Sequence, residues 1–270
     1  MDLETLCNKI NLQPAVKSRV FAFAKEFDFQ TVQQQLKGFL DYTYMETARS
    51  ELVKMLGEDK DRIRVLACML KASADIWEIY QQKGICDEIY VSTMKCYPRF
   101  ISETYQRTGR MDFDRDWWTV RQAGCHLFRI GELEYEVKQK DMEVSIGLHI
   151  PSDADLTRAA VDQSLESAKE FFHSYSPKTA NAPYYCHSWL LDGQLRGMLS
   201  DTSNIIDFQK RFEIADEGED SMGFMEWVYH RSVSDAGDLD SLPEDTSLQR
   251  NMKKHLLAGG GIRSAYGKLI

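Results

Sequence analysis

Between Gly124 and Leu191 the hydrophobic pattern switches from alternation to helical spacing and back, which leaves the chain few folds to choose from. Glu143–Ile150 (EVSIGLHI) alternates, so Val144, Ile146, Leu148 and Ile150 share one face of a strand and Ser145 and His149 the other. Pro151 to Asp155 interrupt it. A helix is then predicted over Leu156–Phe172, where Val161, Leu165, Ala168 and Phe172 recur at helical spacing. Tyr184–Leu191 (YYCHSWLL), rich in aromatic and apolar residues, reads as a second strand. Two strands separated by a helix cannot form a hairpin, so a crossover joins them and they run parallel or splayed. Ligands in such sheets sit at the C-terminal strand ends, which places a cleft beyond His149.

Ahead of this segment the period is helical from Asp2 to about Gly109. Leu3, Leu6 and Ile10 mark one helix; Val16, Val20, Ala24 and Phe27 mark a second that opens at Pro14, a residue suited to a first turn. Ile63, Leu66, Ala67, Leu70, Ala74 and Trp77 predict a longer helix that stops near Gly84, and Pro98 divides the last helical region. Tyr42, Tyr44, Trp77 and Tyr80 are read as core or as a pocket lining, with core the commoner fate of such rings. The composition turns charged at RMDFDRDWW, and the expected boundary falls near Asp112, between a helical domain at 1–111 and a second domain at 112–270.

In the second half, His126–Ile130 and Leu133–Val137 predict a hairpin around Gly131 and Glu132. After the crossover come a helix over Leu195–Phe212, broken early by Ser200–Asn204, and strands at Phe212–Ala215 and Phe224–Tyr229 around the acidic turn DEGED. Asp235–Asp245 reads as a polar loop, Leu248–Leu257 as a helix with basic residues in its last turn, and Ala265–Leu269 as a final strand.

A net charge of −9 argues against a nucleic-acid partner, because phosphate binding draws on a surplus of Lys and Arg. The sequence shows neither a membrane-spanning apolar run nor a signal-peptide pattern, so a cytoplasmic location is expected. The six cysteines lack the C-x-x-C spacing of a zinc site, and free thiols with no bound metal are expected.

The order hairpin, strand, helix, strand, helix, strands from His126 to His230 resembles the GNAT acyltransferase fold. Three segments carry the likeness most specifically. RQAGCHLFRIGELEYE, HIPSDADLTRAAVDQSLESAKEFF and CHSWLLDGQLRGMLSDTSNIIDFQKRF look like the GNAT-like C-terminal domain of two-domain bacterial acyltransferases, which carry a helical N-acyltransferase-type domain in front. The resemblance implies an α+β chain: an all-helical N-terminal domain, then a GNAT-like α/β domain with a mixed, mostly antiparallel sheet. It also implies acyl-CoA, acetyl-CoA included, as co-substrate between the third and fourth GNAT-like strands, with its pyrophosphate at the N-terminus of the crossover helix. Orphan N–H groups and the positive end of the helix dipole suit an anion there. Ser152, Asp155 and Thr157 are the implied contacts. Typical GNAT proteins carry a glycine-rich Q/R-x-x-G-x-G/A turn at that point, whereas this chain has SDADLT, with two acids and no glycine. Ser152 or Asp155 as a plain helix N-cap is the alternative.

Acyl transfer requires a base for the acceptor's proton and a donor for the oxyanion. His149, at the end of the central strand, and His187, in the next strand, are both candidate bases; a histidine bonded to a backbone carbonyl is the competing reading for each. Ser188 is a candidate nucleophile on the face opposite His187 and shared with Cys186, although G-x-S-x-G is absent. Arg129, Glu132 and Glu134 read as a solvated hairpin surface. Gly259–Gly261 reads as a helix end and flexible turn, and Arg263 beside it as a source of cofactor-binding charge. Two functions follow. One is an acyltransferase acting on a small-molecule amine or hydroxyl by direct attack; the other is a catalytically silent GNAT-like protein that binds a small molecule or a peptide.

Overall fold

The computed structural model describes residues 1–141, 143–216, 218–232 and 237–270; the acidic turn at Glu217 and the start of the polar loop at Asp235 lie outside the described residues. The chain divides into two compact units, Met1–Ile130 and Gly131–Ile270.

The first unit is helical: α1 (Leu3–Lys9), α2 (Pro14–Glu26), α3 (Gln33–Gly38), α4 (Met45–Leu56), α5 (Ile63–Asp75), α6 (Trp77–Gln82), α7 (Asp87–Met94), α8 (Cys96–Thr108) and α9 (Asp116–Ala123), closed by strand β1 (Leu127–Ile130). α5 is buried from Ile63 to Ala74 except at Arg64 and Lys71, which lie on one polar stripe of an otherwise apolar helix. α1, α2, α3, α4 and α9 pack against it. The boundary expected near Asp112 thus lies inside this unit, because α9 packs on α4 and α5, and β1 on α7. Trp77 and Tyr80 both pack edge-on against Tyr90, at 4.8 and 5.0 Å between ring centroids, and Tyr80 and Tyr90 are fully buried.

The second unit contains β2 (Leu133–Lys140), β3 (Glu143–His149), α10 (Arg158–Tyr175), β4 (Tyr184–Ser188), α11 (Asn204–Gln209), β5 (Phe212–Asp216), α12 (Gly223–Tyr229), α13 (Ser247–Leu257) and β6 (Ala265–Leu269). Its strands lie in the order β2-β3-β4-β6-β5. β3 and β4 are parallel, as the α10 crossover requires, and the β2/β3, β4/β6 and β5/β6 pairs are antiparallel. The fold is therefore α+β with a mixed, mostly antiparallel sheet.

α10 lies on the face that carries Tyr135, through Val161, Ser164, Leu165, Ala168 and Phe172. Ser164 fixes the contact: its Oγ accepts the Leu133 N–H at 3.2 Å and bonds the Tyr135 hydroxyl at 2.9 Å. Gly131, at φ +61°, lets the chain enter β2 there, since a Cβ would stand 3.0 Å from that of Ser164.

Two expected elements differ. Phe224–Tyr229 is helix α12 and not a strand: Phe224, Met225, Val228 and Tyr229 are the buried residues, a helical spacing that aims them into one cluster with Leu195, Met252 and Ile262. The helix expected over Leu195–Phe212 is a 3-10 turn at Gly193–Gly197 followed by the short α11.

Candidate active site

Strand register places Glu134, Glu136 and Lys138 of β2, Ser145, Gly147 and His149 of β3, Tyr185 and His187 of β4, and Tyr266 and Lys268 of β6 on one face of the sheet. The opposite face, carrying Tyr135, Ile146, Leu148 and Cys186, holds α10. β3 pairs with β2 as far as His149, and β4 pairs with β6 as far as Ser188. The ladder between β3 and β4 is shorter: its rungs are Ile146↔Tyr184, Gly147↔Tyr185 and Leu148↔Cys186. His149 and His187 are the first residues beyond the last rung, one on each strand, so the two histidines singled out from the sequence flank the point where the β3/β4 ladder opens.

His149 Nε2 lies 2.9 Å from Oε2 of Glu136, whose side chain belongs to a residue only 3% exposed. Lys138 Nζ stands 3.8 Å from the same oxygen. Glu134, 2% exposed, faces His149 directly across the β2/β3 pair. Glu134 is thus not part of a solvated hairpin surface, because β2 is buried on both faces from Leu133 to Val137. Lys138 lies over Gly147: a Cβ there would meet its Cε at 2.5 Å and its Nζ at 3.1 Å.

The His187 ring stacks on Tyr266, its cross-strand partner, with centroids 3.9 Å apart and planes 10° from parallel. Partial burial first, and then the positive charge of Lys138, hold its pKa below the usual 6.5, against an opposing pull from Glu219. A lowered histidine pKa favours the neutral ring in the folded state. The associated stability is therefore fully present above 6.5 and is lost as pH falls through the folded value. Ring NMR across a pH series should give His187 a midpoint below 6.5, and Lys138→Met should move it upward; a midpoint that stays put would contradict the assigned cause.

Ser188 points to the α10 face, away from the histidines. Its Oγ accepts the Leu190 N–H at 3.1 Å and caps the 3-10 turn Trp189–Leu191. Cys186 beside it is buried, and desolvation pushes its thiol up to about 12 against a smaller lowering from Lys138.

Ser152, Asp155 and Thr157 lie together at the entrance to α10. The Asp155 carboxylate accepts the Thr157 N–H at 2.9 Å and the Thr157 hydroxyl at 3.0 Å, and its own N–H donates to Glu132 Oε2 at 2.9 Å. Thr157 is the N-cap, without a side-chain capping bond. Val161 is the first residue to bond within the helix, to Thr157 O, so the helix gives no acceptor to the N–H groups of Arg158, Ala159 and Ala160. Arg158 is exposed and pairs with Asp207, while Arg211 pairs with Asp162 at 2.7 Å and Asp207 at 3.2 Å. Arg263 stands apart from this group: its N–H donates to the buried Asp192 at 2.7 Å, and its guanidinium is 3.6 Å from Asp220. Glu136, Lys138, Gly147 and Arg158 were not singled out from the sequence. The signal for the first two lies in the alternation of LEYEVK, and for Arg158 in its place just after the turn.

Among the described residues no helix is long and apolar enough to cross a membrane, and no cluster of three metal-ligating side chains occurs.

Residues 127–269 match the family model of the GNAT-like C-terminal domain, and residues 1–125 that of the N-acyltransferase N-terminal domain. Among solved structures, the chain is similar to an acyltransferase in complex with decanoyl-CoA and teicoplanin, at TM-score 0.77 and 22% identity over 98% of this chain and 86% of that one. An acyltransferase mutant in complex with octanoyl-CoA gives 0.78 and 21% over the same shares. An acyltransferase in complex with decanoyl-CoA gives 0.71 and 20% over 100% of this chain and 99% of that one. At these identities the likeness shows the fold. No curated protein matches the sequence significantly.

Proposed function

Because the chain belongs to the family that joins an N-acyltransferase N-terminal domain to a GNAT-like C-terminal domain, we propose that it moves an acyl group from acyl-CoA to a small-molecule amine or hydroxyl by direct attack. The observation that carries this reading is the parting of β3 and β4, which presents His149 and His187 on the edges of an opening. The similar structures are acyltransferases that hold decanoyl-CoA or octanoyl-CoA, which supports an acyl-CoA donor and a chain longer than acetyl. One of them also holds teicoplanin, which supports a small-molecule acceptor.

In this reading His149 is the base. Its Nε2–H donates to Glu136, so the neutral ring carries its lone pair on Nδ1. His149 takes the proton that the acceptor's N–H or O–H loses as its nitrogen or oxygen bonds to the thioester carbonyl carbon. The carbon–sulfur bond then breaks, and the proton passes to the departing sulfur. His187, held neutral beside Lys138, lines the other edge as a hydrogen-bonding partner for substrate. Ser188 serves the fold as a cap, on the far face.

At the α10 entrance, the N–H groups of Arg158 to Ala160, the hydroxyls of Ser152 and Thr157 and the Arg158 guanidinium are assigned to the pyrophosphate, where the orphan helix donors suit it. Arg263 adds positive charge farther off. Asp155 acts as the local turn residue that orders Thr157.

Calorimetry with octanoyl-CoA and acetyl-CoA tests the donor. A micromolar Kd for octanoyl-CoA, about −8 kcal/mol, is expected, weakened by Arg158→Ala. Failure of both to bind overturns the reading, and binding with no thiol released when small amines and alcohols are added moves it to the silent binding protein.

A further inference from the structure

We propose that Glu136 and Lys138 are positioning residues for the two histidines, and that Gly147 is the seat that lets Lys138 lie against Glu136. The inference rests on the acyl-transfer reading of the same opening.

Glu136 is a carboxylate buried on the polar face of an interior stretch of β2, where an unpaired charge is costly. Its Oε2 is 2.9 Å from His149 Nε2 and 3.8 Å from Lys138 Nζ. A carboxylate at that nitrogen selects one imidazole tautomer and one ring orientation, and it stabilises the imidazolium that forms when the ring takes a proton.

Gly147 has no conformational need to be glycine. Its φ is not in the left-handed region, and it sits mid-strand, paired with Glu136 on one side and Tyr185 on the other. Glycine weakens a strand, and where no bulge or bend calls for it the close approach of another group accounts for it. Here that group is the Lys138 side chain, which a Cβ would strike at 2.5 Å. Seated there, Lys138 touches the carboxylate that holds His149 and places its charge where His187 feels it, with Glu219 opposing and Tyr266 stacked on the ring. One glycine thus allows a single cation to act on both edges of the opening.

The test uses the full chain with octanoyl-CoA as donor, a panel of small amines and alcohols as acceptors, and acceptor-dependent thiol release as the rate. Glu136→Gln should lower kcat by up to about 10⁴-fold with KM for octanoyl-CoA little changed, and Glu136→Asp should recover part of the loss. Two readouts need no activity. Ring ¹⁵N shifts should show neutral His149 as the single Nε2–H tautomer in the parent and as a tautomer average in Glu136→Leu. Gly147→Ala, which need only displace the flexible end of Lys138, should raise the His187 midpoint as Lys138→Met does. An unchanged kcat in Glu136→Gln, or a His187 midpoint indifferent to Gly147→Ala, overturns the proposal. If the parent releases no thiol, the acyl-transfer reading fails, and the two NMR arms alone uphold or overturn the arrangement around the histidines.

Discussion

Replacing His149 with alanine is expected to lower kcat for acyl transfer by about 10²–10⁴-fold, the range that a positioned general base contributes. The binding of octanoyl-CoA should change little, because His149 stands on the strand edge and the proposed phosphate contacts lie at the α10 entrance. Two features make the effect large. The ring is held by Glu136 at 2.9 Å, so its orientation is set before substrate arrives. It also lies directly past the last rung between β3 and β4, where the pairing of the two strands has ended. Steady-state kinetics with calorimetry on the same variant separate the two quantities. A variant that loses donor affinity while keeping its rate would place His149 in binding and not in proton transfer.

The second large effect is on stability. Phe172→Ala should destabilise the second unit by about 3–5 kcal/mol, the cost of removing a fully buried ring and leaving a cavity. Phe172 is 1% exposed, and its ring lies 4.9 Å from that of Phe171 and 6.2 Å from those of Tyr135 and Tyr184. It ties α10 to β2 and β4 at once. Those are the elements that carry the helix entrance, Glu136 and His187, so the site loses its frame along with the stability. Urea unfolding followed through the second unit should show a midpoint lower by roughly 1–3 M at an ordinary slope. Phe171→Ala, at a less buried ring one position along, is expected to cost less; equal costs would contradict the tie assigned to Phe172.

The crossover was legible from residue pattern alone. Alternation over Val144–Ile150, helical spacing over Val161–Phe172 and the aromatic run at Tyr184 each bury one face, and only a crossover joins them. His149 and His187 were legible for the same reason, as polar residues near the ends of those strands. Phe224–Tyr229 was not. Over six residues, aromatic and β-branched side chains favour a strand by composition, and the helical spacing of the buried ones becomes evident only with the cluster they enter. The burial of Glu134 and Glu136 was equally hidden, since it depends on both faces of β2 being covered, a tertiary fact. Lys138 and Gly147 are nine residues apart in the chain; the register makes them diagonal neighbours, and the bend of the long lysine side chain brings its end over the glycine. At the α10 entrance the sequence located the turn, and the structure shows the Asp155 carboxylate committed to Thr157.

The most direct test of acyl transfer at the parting of β3 and β4 is a time course of free CoA thiol from octanoyl-CoA. The intact protein and His149→Ala are run side by side with a panel of small amines and alcohols, and the products are weighed by mass spectrometry. Acyl transfer at this site predicts thiol release by the parent matched by an N- or O-octanoyl product, with both largely lost in the variant. Thiol release that is equal in the two proteins, or octanoyl-CoA that binds and stays intact with every acceptor, would contradict it.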